Sequence, residues 1–171
     1  TNTQLRISAL TTTVLMAVHN DERYIGEATA SILGQSERDF EFLIIDDAST
    51  DGTIGIINGF ADPRIRILAN RERIGLTRSL NAGWREARGQ YIARMDGDDV
   101  SRPTRLEKQA AFLKSHPGCG LLGTGYRTID EHGCPLDEGR IVAADLDLKE
   151  ALQVTNQFAH SSVMFPRQAI A

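Results

Sequence analysis

The sequence predicts an α/β fold: a mostly parallel central sheet flanked by helices, ending in an irregular C-terminal third. Three observations predict it. Short continuous apolar runs such as Val14-Leu15-Met16-Ala17-Val18 have the length and composition of strands buried on both faces. Segments with apolar residues near 3.6-residue spacing alternate with these runs. Strand–helix units repeating at this interval imply a parallel sheet covered by helices on both sides.

The elements follow in order. Residues 1–12 carry little pattern and read as a flexible N-terminal arm, with one domain over 13–171. After the first strand, Ile25, Ala28, Ile32 and Leu33 mark a helix. Phe40 to Ile45 is a second strand, and Asp51 to Phe60 a helix with Ile54, Ile57 and Phe60 inward. Ile65 to Leu68 is a third strand. Thr77 to Ala87 is helical, with Leu76, Leu80, Trp84 and Ala87 on one stripe and Gly83 beside it allowing close packing. Tyr91 to Met95 is a fourth strand. Pro103 to Ser115 is a helix burying Leu106, Ala110 and Leu113, stopped by His116-Pro117-Gly118. Beyond Gly118 the rhythm weakens. Leu121 to Thr124 and Ser162 to Phe165 read as strands, Arg127 to Gly139 as turn-rich, and Asp145 to Val154 as a short helix.

Composition bounds the function. A chain of 171 residues is one domain, long enough to bury about 70% of its unfolded surface without a disulfide or metal. With 19 basic and 23 acidic residues, the net charge of −4 argues against nucleic acid as a partner. Two cysteines, Cys119 and Cys134, exclude a disulfide framework and read as small packed apolar groups. No apolar run approaches 18 residues, and Thr1 to Thr13 lacks the apolar core of a signal peptide, so the expectation is a cytoplasmic protein.

In open parallel sheets, ligands sit beyond the carboxyl ends of the strands. After the first strand comes His19-Asn20-Asp21-Glu22, where Asn20 is a candidate N-cap whose helix would offer backbone N–H groups. After the second comes Asp46-Asp47-Ala48-Ser49-Thr50-Asp51-Gly52. Two adjacent carboxylates there suit a hydrogen bond from a base and a hold on the turn; turn and capping chemistry is the other reading. After the fourth comes Asp96-Gly97-Asp98-Asp99, the sharpest signal. Three carboxylates in four positions repel unless a cation or donors offset them, and hard oxygen ligands on a tight turn suit Mg²⁺ or Mn²⁺. Gly97 lets the backbone approach closely. Between these lie Asn70, Arg71, Arg73 and Gly75, then Thr77, Arg78 and Asn81, basic enough to face a diphosphate or simply solvated. His160 precedes the last strand, where a structural role is the alternative to a functional one.

In this order and spacing, these stretches resemble family 2 glycosyltransferases with the GT-A (Rossmann-like) fold, over roughly residues 12–167. Val14 to Tyr24 resembles the family's opening strand and acidic segment, and Ile44 to Thr53 its nucleotide-reading stretch. Asn70 to Asn81 resembles the stretch before the third helix. Gly89 to Asp99 resembles the DXD region, Pro103 to Glu107 its sequel, and His160 to Arg167 a later segment on the acceptor side. The resemblance implies transfer of a sugar, with inversion, from a nucleotide-diphosphate sugar (a UDP-sugar by the family's habit) to an acceptor hydroxyl. It implies a sugar or lipid-linked sugar acceptor, a divalent metal, and work in polysaccharide or cell-envelope biosynthesis. Carried over by position, the donor site comprises Ala17, Val18, His19, Asn20, Glu22, Asp46, Asp47, Asn70, Gly75, Arg78, Asp96, Gly97 and Asp98. Asp47 would bind the base, Asp96 and Asp98 the ribose and metal, and Asp99 would share the metal. His160 would lie on the acceptor side. The family's general base is expected beyond Ala171; Asp130, Asp137 and Asp145 fall in poorly patterned regions, so the chain reads as a C-terminally truncated domain. A lipid-linked acceptor would bring it to the inner face of the membrane, and an uncovered sheet face would allow a homodimer.

A non-catalytic nucleotide-sugar-binding module would share every donor-site residue. A response-regulator receiver needs an acidic pair after the first strand and a late Lys; here His19-Asn20 follows that strand, and Lys occurs only at 108, 114 and 149. A nucleotidyltransferase opens with a Gly- and basic-rich phosphate loop, which residues 19–26 do not supply. No G-x-G-x-x-G follows the first strand, which excludes a Rossmann dehydrogenase.

Overall fold

The computed structural model describes residues 10–138, 156 and 158–170. Four parallel strands form the sheet's body: β1 (Thr12–Val18), β2 (Phe40–Asp46), β3 (Ile65–Ala69) and β4 (Tyr91–Met95). They are crossed by α1 (Ile25–Leu33), α2 (Thr53–Asn58), α3 (Leu76–Glu86) and α4 (Arg105–Ser115). A hairpin, β5 (Arg127–Ile129) with β6 (Pro135–Glu138), stands outside the sheet. The short β7 (Met164–Pro166) returns antiparallel on the free edge of β4, giving the order β3-β2-β1-β4-β7.

The alternation of side chains along each strand divides the core into two layers. Val14, Met16 and Val18 on β1, with Phe42 and Ile44 on β2, face Ile25, Ala28 and Ile32 of α1 and Leu106, Ala110 and Leu113 of α4. Leu15 and Ala17, with Leu43, Ile45 and Ile92, form the second layer beneath Leu80 and Trp84 of α3. Gly83 sets how close α3 comes. A Cβ there would lie 2.4 Å from Leu15 Cδ1 and 2.8 Å from Ile45 Cγ1.

Several expectations need correction. Thr12, read as part of the arm, opens β1, and Thr11 already donates to Asp39 from both its amide and its hydroxyl. The helix read as Asp51 to Phe60 spans only Thr53–Asn58. Gly59 and a left-handed Ala61 (φ 48°) end it, so Phe60 lies beyond it, only half-buried. Leu76 is 48% exposed, because the first turn of α3 overhangs the sheet; the buried stripe begins at Ser79 and Leu80. Leu121 to Thr124 makes a single bridge, Leu122 to Met164, rather than a strand. Ser162 closes a 3₁₀ turn (His160–Ser162) before β7 begins. The turn-rich stretch from Arg127 contains the β5–β6 hairpin. Its Cys134 is exposed, whereas Cys119 packs against the core as expected. The helix read at Asp145 to Val154 lies outside the described residues.

Candidate functional site

β1, β2 and β3 run outward in one direction, and the chain then returns to place β4 on the other side of β1. The crevice between β1 and β4 is therefore the topological switch point, where loops after neighbouring strands turn apart and leave room for a ligand. Val18 pairs with Asp46 and Met16 with Met95, so the segments after all three strands emerge side by side.

Those after β1 and β2 are laced together. Asn20 sits in the left-handed region (φ 58°), which Asn tolerates better than most residues. Its amide donates to Ser49 Oγ (3.1 Å), and its side-chain oxygen accepts from the Thr50 amide (2.8 Å). Asp21 donates its amide to Thr53 Oγ1 (2.8 Å). Glu22 Oε2 accepts from the Gly52 amide (2.7 Å) at the start of α2. His19 Nδ1 donates to the Asp47 carbonyl (2.8 Å), which fixes the proton on that nitrogen. The N-cap expected at Asn20 is not there. α1 begins at Ile25 after Tyr24, and the amides of Tyr24 and Ile25 go to the Asp21 carbonyl. Asn20 and Glu22 instead spend their side chains on the neighbouring loop.

Asp46 and Asp47 are both buried and differ in what they do. Asp46 Oδ1 accepts from the Ser49 amide (3.0 Å), tightening a turn that forces Ala48 to φ 59°. A β-carbon in that region is strained, a feature that concentrates at functional sites. Asp47 reaches the loop after β3. Its carboxylate accepts from Asn70 Nδ2 (2.8 Å) and from the amides of Ile74 (2.9 Å) and Gly75 (2.7 Å). Burial alone would raise its pKa, but the Ile74, Asn70 and Gly75 donors outweigh burial and hold it below the ordinary carboxylate value. Asn70 also donates to the buried Ser79 Oγ (2.9 Å), fastening the loop to α3. Gly75 has φ 88°, so only glycine turns the chain into α3 there without strain. Arg71, Arg73 and Arg78 lie exposed on this loop and the first turn of α3, with no hydrogen-bond or ion-pair partner among the described residues.

The acidic turn after β4 departs from expectation. Among the described residues, no three His, Cys, Asp or Glu side chains converge as a ligand set, so Asp96, Asp98 and Asp99 are not a preformed three-carboxylate metal site. The chain offsets much of their repulsion itself. The buried Arg94 forms an ion pair with Asp96, and Ser161 Oγ donates to Asp99. Asp98 is left exposed. Desolvation, then Asp99 and, more weakly, Asp96 raise its pKa, against smaller opposing effects of a backbone hydrogen bond and Arg94. Asp21 faces it across the crevice. Its pKa is also raised, first by burial and, more weakly, by Asp98 and Asp51. A Cβ on Gly97 would lie 2.9 Å from Asp21 Oδ2, so the glycine admits this carboxylate beside the turn. A divalent cation that keeps waters and takes one or two carboxylates plus phosphate oxygens fits Asp98 with one neighbour, and would relieve this accumulated charge.

The Ser161–Asp99 bond brings the His160 turn to the acidic loop. His160 is exposed, and its Nε2 accepts from Asn156 Nδ2 (3.2 Å). Ser161 and Asp21 are the participants that the sequence reading passed over. Each stood next to a residue singled out, and neither belongs to a periodic pattern. Of the carboxylates weighed as a base, Asp130 holds its own hairpin turn by accepting from the His132 and Cys134 amides, and Asp137 is exposed on β6. Asp145 lies outside the described residues.

A mostly parallel α/β sheet with hydrogen-bond donors and carboxylates gathered at its switch point is the architecture of the GT-A class. The family model described as glycosyl transferase family 2 matches residues 13–145, and the chain belongs to that family. It is 38% identical over 159 residues to EpsE of Bacillus subtilis (strain 168), covering 91% of this chain and 56% of that protein. It is 33% identical to the O-antigen biosynthesis glycosyltransferase WbnJ of Escherichia coli, covering 92% of this chain and 62% of that protein. The chain thus spans little more than half the length of the curated relatives it matches. Among solved structures, the mannosyltransferase PcManGT from Pyrobaculum calidifontis, in complex with GDP-Man and Mn²⁺, superposes with TM-score 0.68. The identity is 22%, covering 92% of this chain and 44% of that one. S. aureus TarS in complex with UDP-GlcNAc gives TM-score 0.62 at 24% identity, covering 70% and 37%. These likenesses establish the shared fold.

Proposed function

We propose that this chain is the donor-binding part of an inverting glycosyltransferase that moves a sugar from a nucleoside diphosphate, with UDP the first choice of nucleotide, to an acceptor hydroxyl. The carrying observation is the switch-point crevice. There the Asp47-anchored loop and the exposed Asp98 carboxylate stand at the same carboxyl end of the sheet. Family membership supports the reading, as do the nucleotide-sugars bound by TarS and PcManGT.

The chemistry required is charge management. Cleavage of the sugar–phosphate bond leaves negative charge on the β-phosphate, and preorganised donors and cations aimed there lower the barrier. Arg71 and Arg73, on the loop that Asp47 and Asn70 hold, and Arg78, in the first turn of α3, supply guanidinium groups with no partner among the described residues. Ala17 and Val18 end β1 and His19 follows it at this edge of the crevice, where the nucleoside would rest. Asp98, with Asp96 or Asp99, would hold a divalent metal, Mg²⁺ or Mn²⁺, which when bound supplies Lewis-acid stabilisation of the leaving diphosphate. The acceptor hydroxyl approaches from the opposite face of the sugar, past His160, and gives its proton to a general base. We assign that base to the part of the relatives' length that this chain does not span. A sugar or lipid-linked sugar is the acceptor class, in polysaccharide biosynthesis. Among the described residues no helix is long and apolar enough to cross a membrane. A lipid-linked acceptor would be met at the membrane's inner face.

Calorimetric titration of UDP, GDP and dTDP, each with and without Mn²⁺, tests the reading. Metal-dependent binding of one nucleotide is expected; binding of none refutes the donor site. Acceptor-dependent release of nucleoside diphosphate separates an enzyme from a binding module.

A further inference from the structure

Two polar side chains of α4 are almost fully buried and serve no part of the donor site. Arg105 is 8% exposed and Gln109 2%. A guanidinium in such a place is costly unless its N–H groups find acceptors. Arg105 Nη2 donates to the carbonyls of Arg94 (2.8 Å) and Val163 (3.2 Å), and Nε donates to Gln109 Oε1 (3.0 Å). With its oxygen so used, Gln109 turns its amide nitrogen to the carbonyls of Leu122 (3.1 Å) and Ser162 (2.9 Å). Four backbone carbonyls, from β4, from the 122 bridge and from the segment leaving the 3₁₀ turn, converge on two side chains.

The position of those carbonyls gives the pair its meaning. Arg94 lies two residues before Asp96. Ser162 and Val163 directly follow Ser161, whose hydroxyl binds Asp99. The Arg94 amide itself donates to the Val163 carbonyl (3.0 Å). The side chains of α4 therefore grip the base of the acidic loop and the base of the His160 turn together. An apolar pair would fill the same volume without this registration.

We propose that Arg105 and Gln109 are a positioning pair that holds the His160–Ser162 turn in register with the Asp96–Asp99 loop, so that filling the donor site is transmitted to the acceptor side. This rests on the donor-site reading above. Hydrogen exchange read by mass spectrometry, with and without saturating UDP and Mn²⁺, tests it. In the parent, nucleotide slows exchange in peptides covering 94–99 and 159–166. Gln109→Glu keeps an acceptor for Arg105 but removes both amide donors; Arg105→Lys keeps the charge but loses the fork. In either variant nucleotide affinity stays within about threefold of the parent and protection of 94–99 persists. The nucleotide-dependent slowing at 159–166 falls at least fivefold. A structural role alone would speed exchange across α4 and β4 in the free protein and leave the nucleotide-dependent slowing at 159–166 as in the parent; that result overturns the proposal. So does a parent whose nucleotide protects 94–99 alone. A parent that binds no nucleotide overturns the donor site itself, and this proposal with it. If Gln109→Glu gives no cooperative melt, Arg105→Lys decides.

Discussion

Asp47 offers the sharpest quantitative test, because its two oxygens hold the loop between β3 and α3. Its carboxylate receives three hydrogen bonds, from Asn70, Ile74 and Gly75. Hydrogen bonds to a charged acceptor contribute about 1.5–3 kcal/mol each, less where the orphaned donor recovers water. Ile74 and Gly75 are half-buried and recover some. Asp47→Ala therefore costs about 3 kcal/mol. Asp47→Asn, which turns an NH₂ toward one of the three donors, costs about 1.5–2 kcal/mol. The pH dependence has a definite sign. The folded-state pKa lies below the ordinary 3.8, because the loop donors outweigh burial. The stabilisation is thus fully present above pH 3.8 and is lost as pH falls through the depressed value. Urea unfolding of parent and Asp47→Asn from pH 7 down to pH 2 should show a gap that closes at the acid end. A gap under 0.5 kcal/mol at pH 7, or one that persists unchanged to pH 2, refutes the assignment of this stability to the ionised carboxylate.

Three further outcomes are expected. Gly83→Ala drives a methyl into Leu15 and Ile45 and should cost about 1–3 kcal/mol by overpacking, read as a lower urea midpoint with unchanged slope. Glu41, buried at the other end of the sheet, accepts from Thr13 Oγ1 (2.7 Å), the Arg88 amide (2.6 Å) and Arg66. Glu41→Ala leaves those donors behind and should cost about 3 kcal/mol in the same assay, with nucleotide affinity unchanged. Asp98→Asn removes a like charge beside Asp99 and Asp96, so its Tm at pH 7 should equal or exceed the parent's. Its affinity for UDP in Mn²⁺ should fall at least tenfold by calorimetry, and a variant that binds as the parent does removes Asp98 from the site.

The sheet was legible because its signal is dense. β4 runs from Tyr91 to Met95 as read, and the runs of β1, β2 and β4 are central strands whose residues alternate between two layers, while the half-buried β3 lies at the sheet's edge. Ends were legible only where a local rule dominates. Thr12 carries no hydrophobic signal, yet it pairs with Phe40 and Tyr91, because neighbouring strands extend the ladder past the apolar run. Leu76 matched the periodicity and still faces solvent, since periodicity gives a helix's face but not where the sheet beneath it stops. In the site, acidic clusters were visible as residue types, but their partners were not. The donors to Asp47 come from 23 to 28 positions away, two of them backbone amides with no sequence signature. Ser161 meets Asp99 across 62 positions.

Those long-range partners change what the acidic turn is. Read alone, Asp96-Gly97-Asp98-Asp99 is three carboxylates in want of a cation. In the fold, Arg94 takes up Asp96 and Ser161 takes up Asp99, which leaves Asp98 unrelieved. Such a site would hold a lone cation weakly, because one free carboxylate is too few hard ligands. In the proposed site a nucleoside diphosphate would bring phosphate oxygens of its own and complete the set. Metal and nucleotide should therefore bind together, each raising the other's affinity by the same factor. Titrating Mn²⁺ into the protein alone should give at least tenfold weaker binding than titrating it in the presence of UDP. Equal affinity in the two titrations would mean that the carboxylates already form the ligand set, and that the compensation by Arg94 and Ser161 is not what governs this turn.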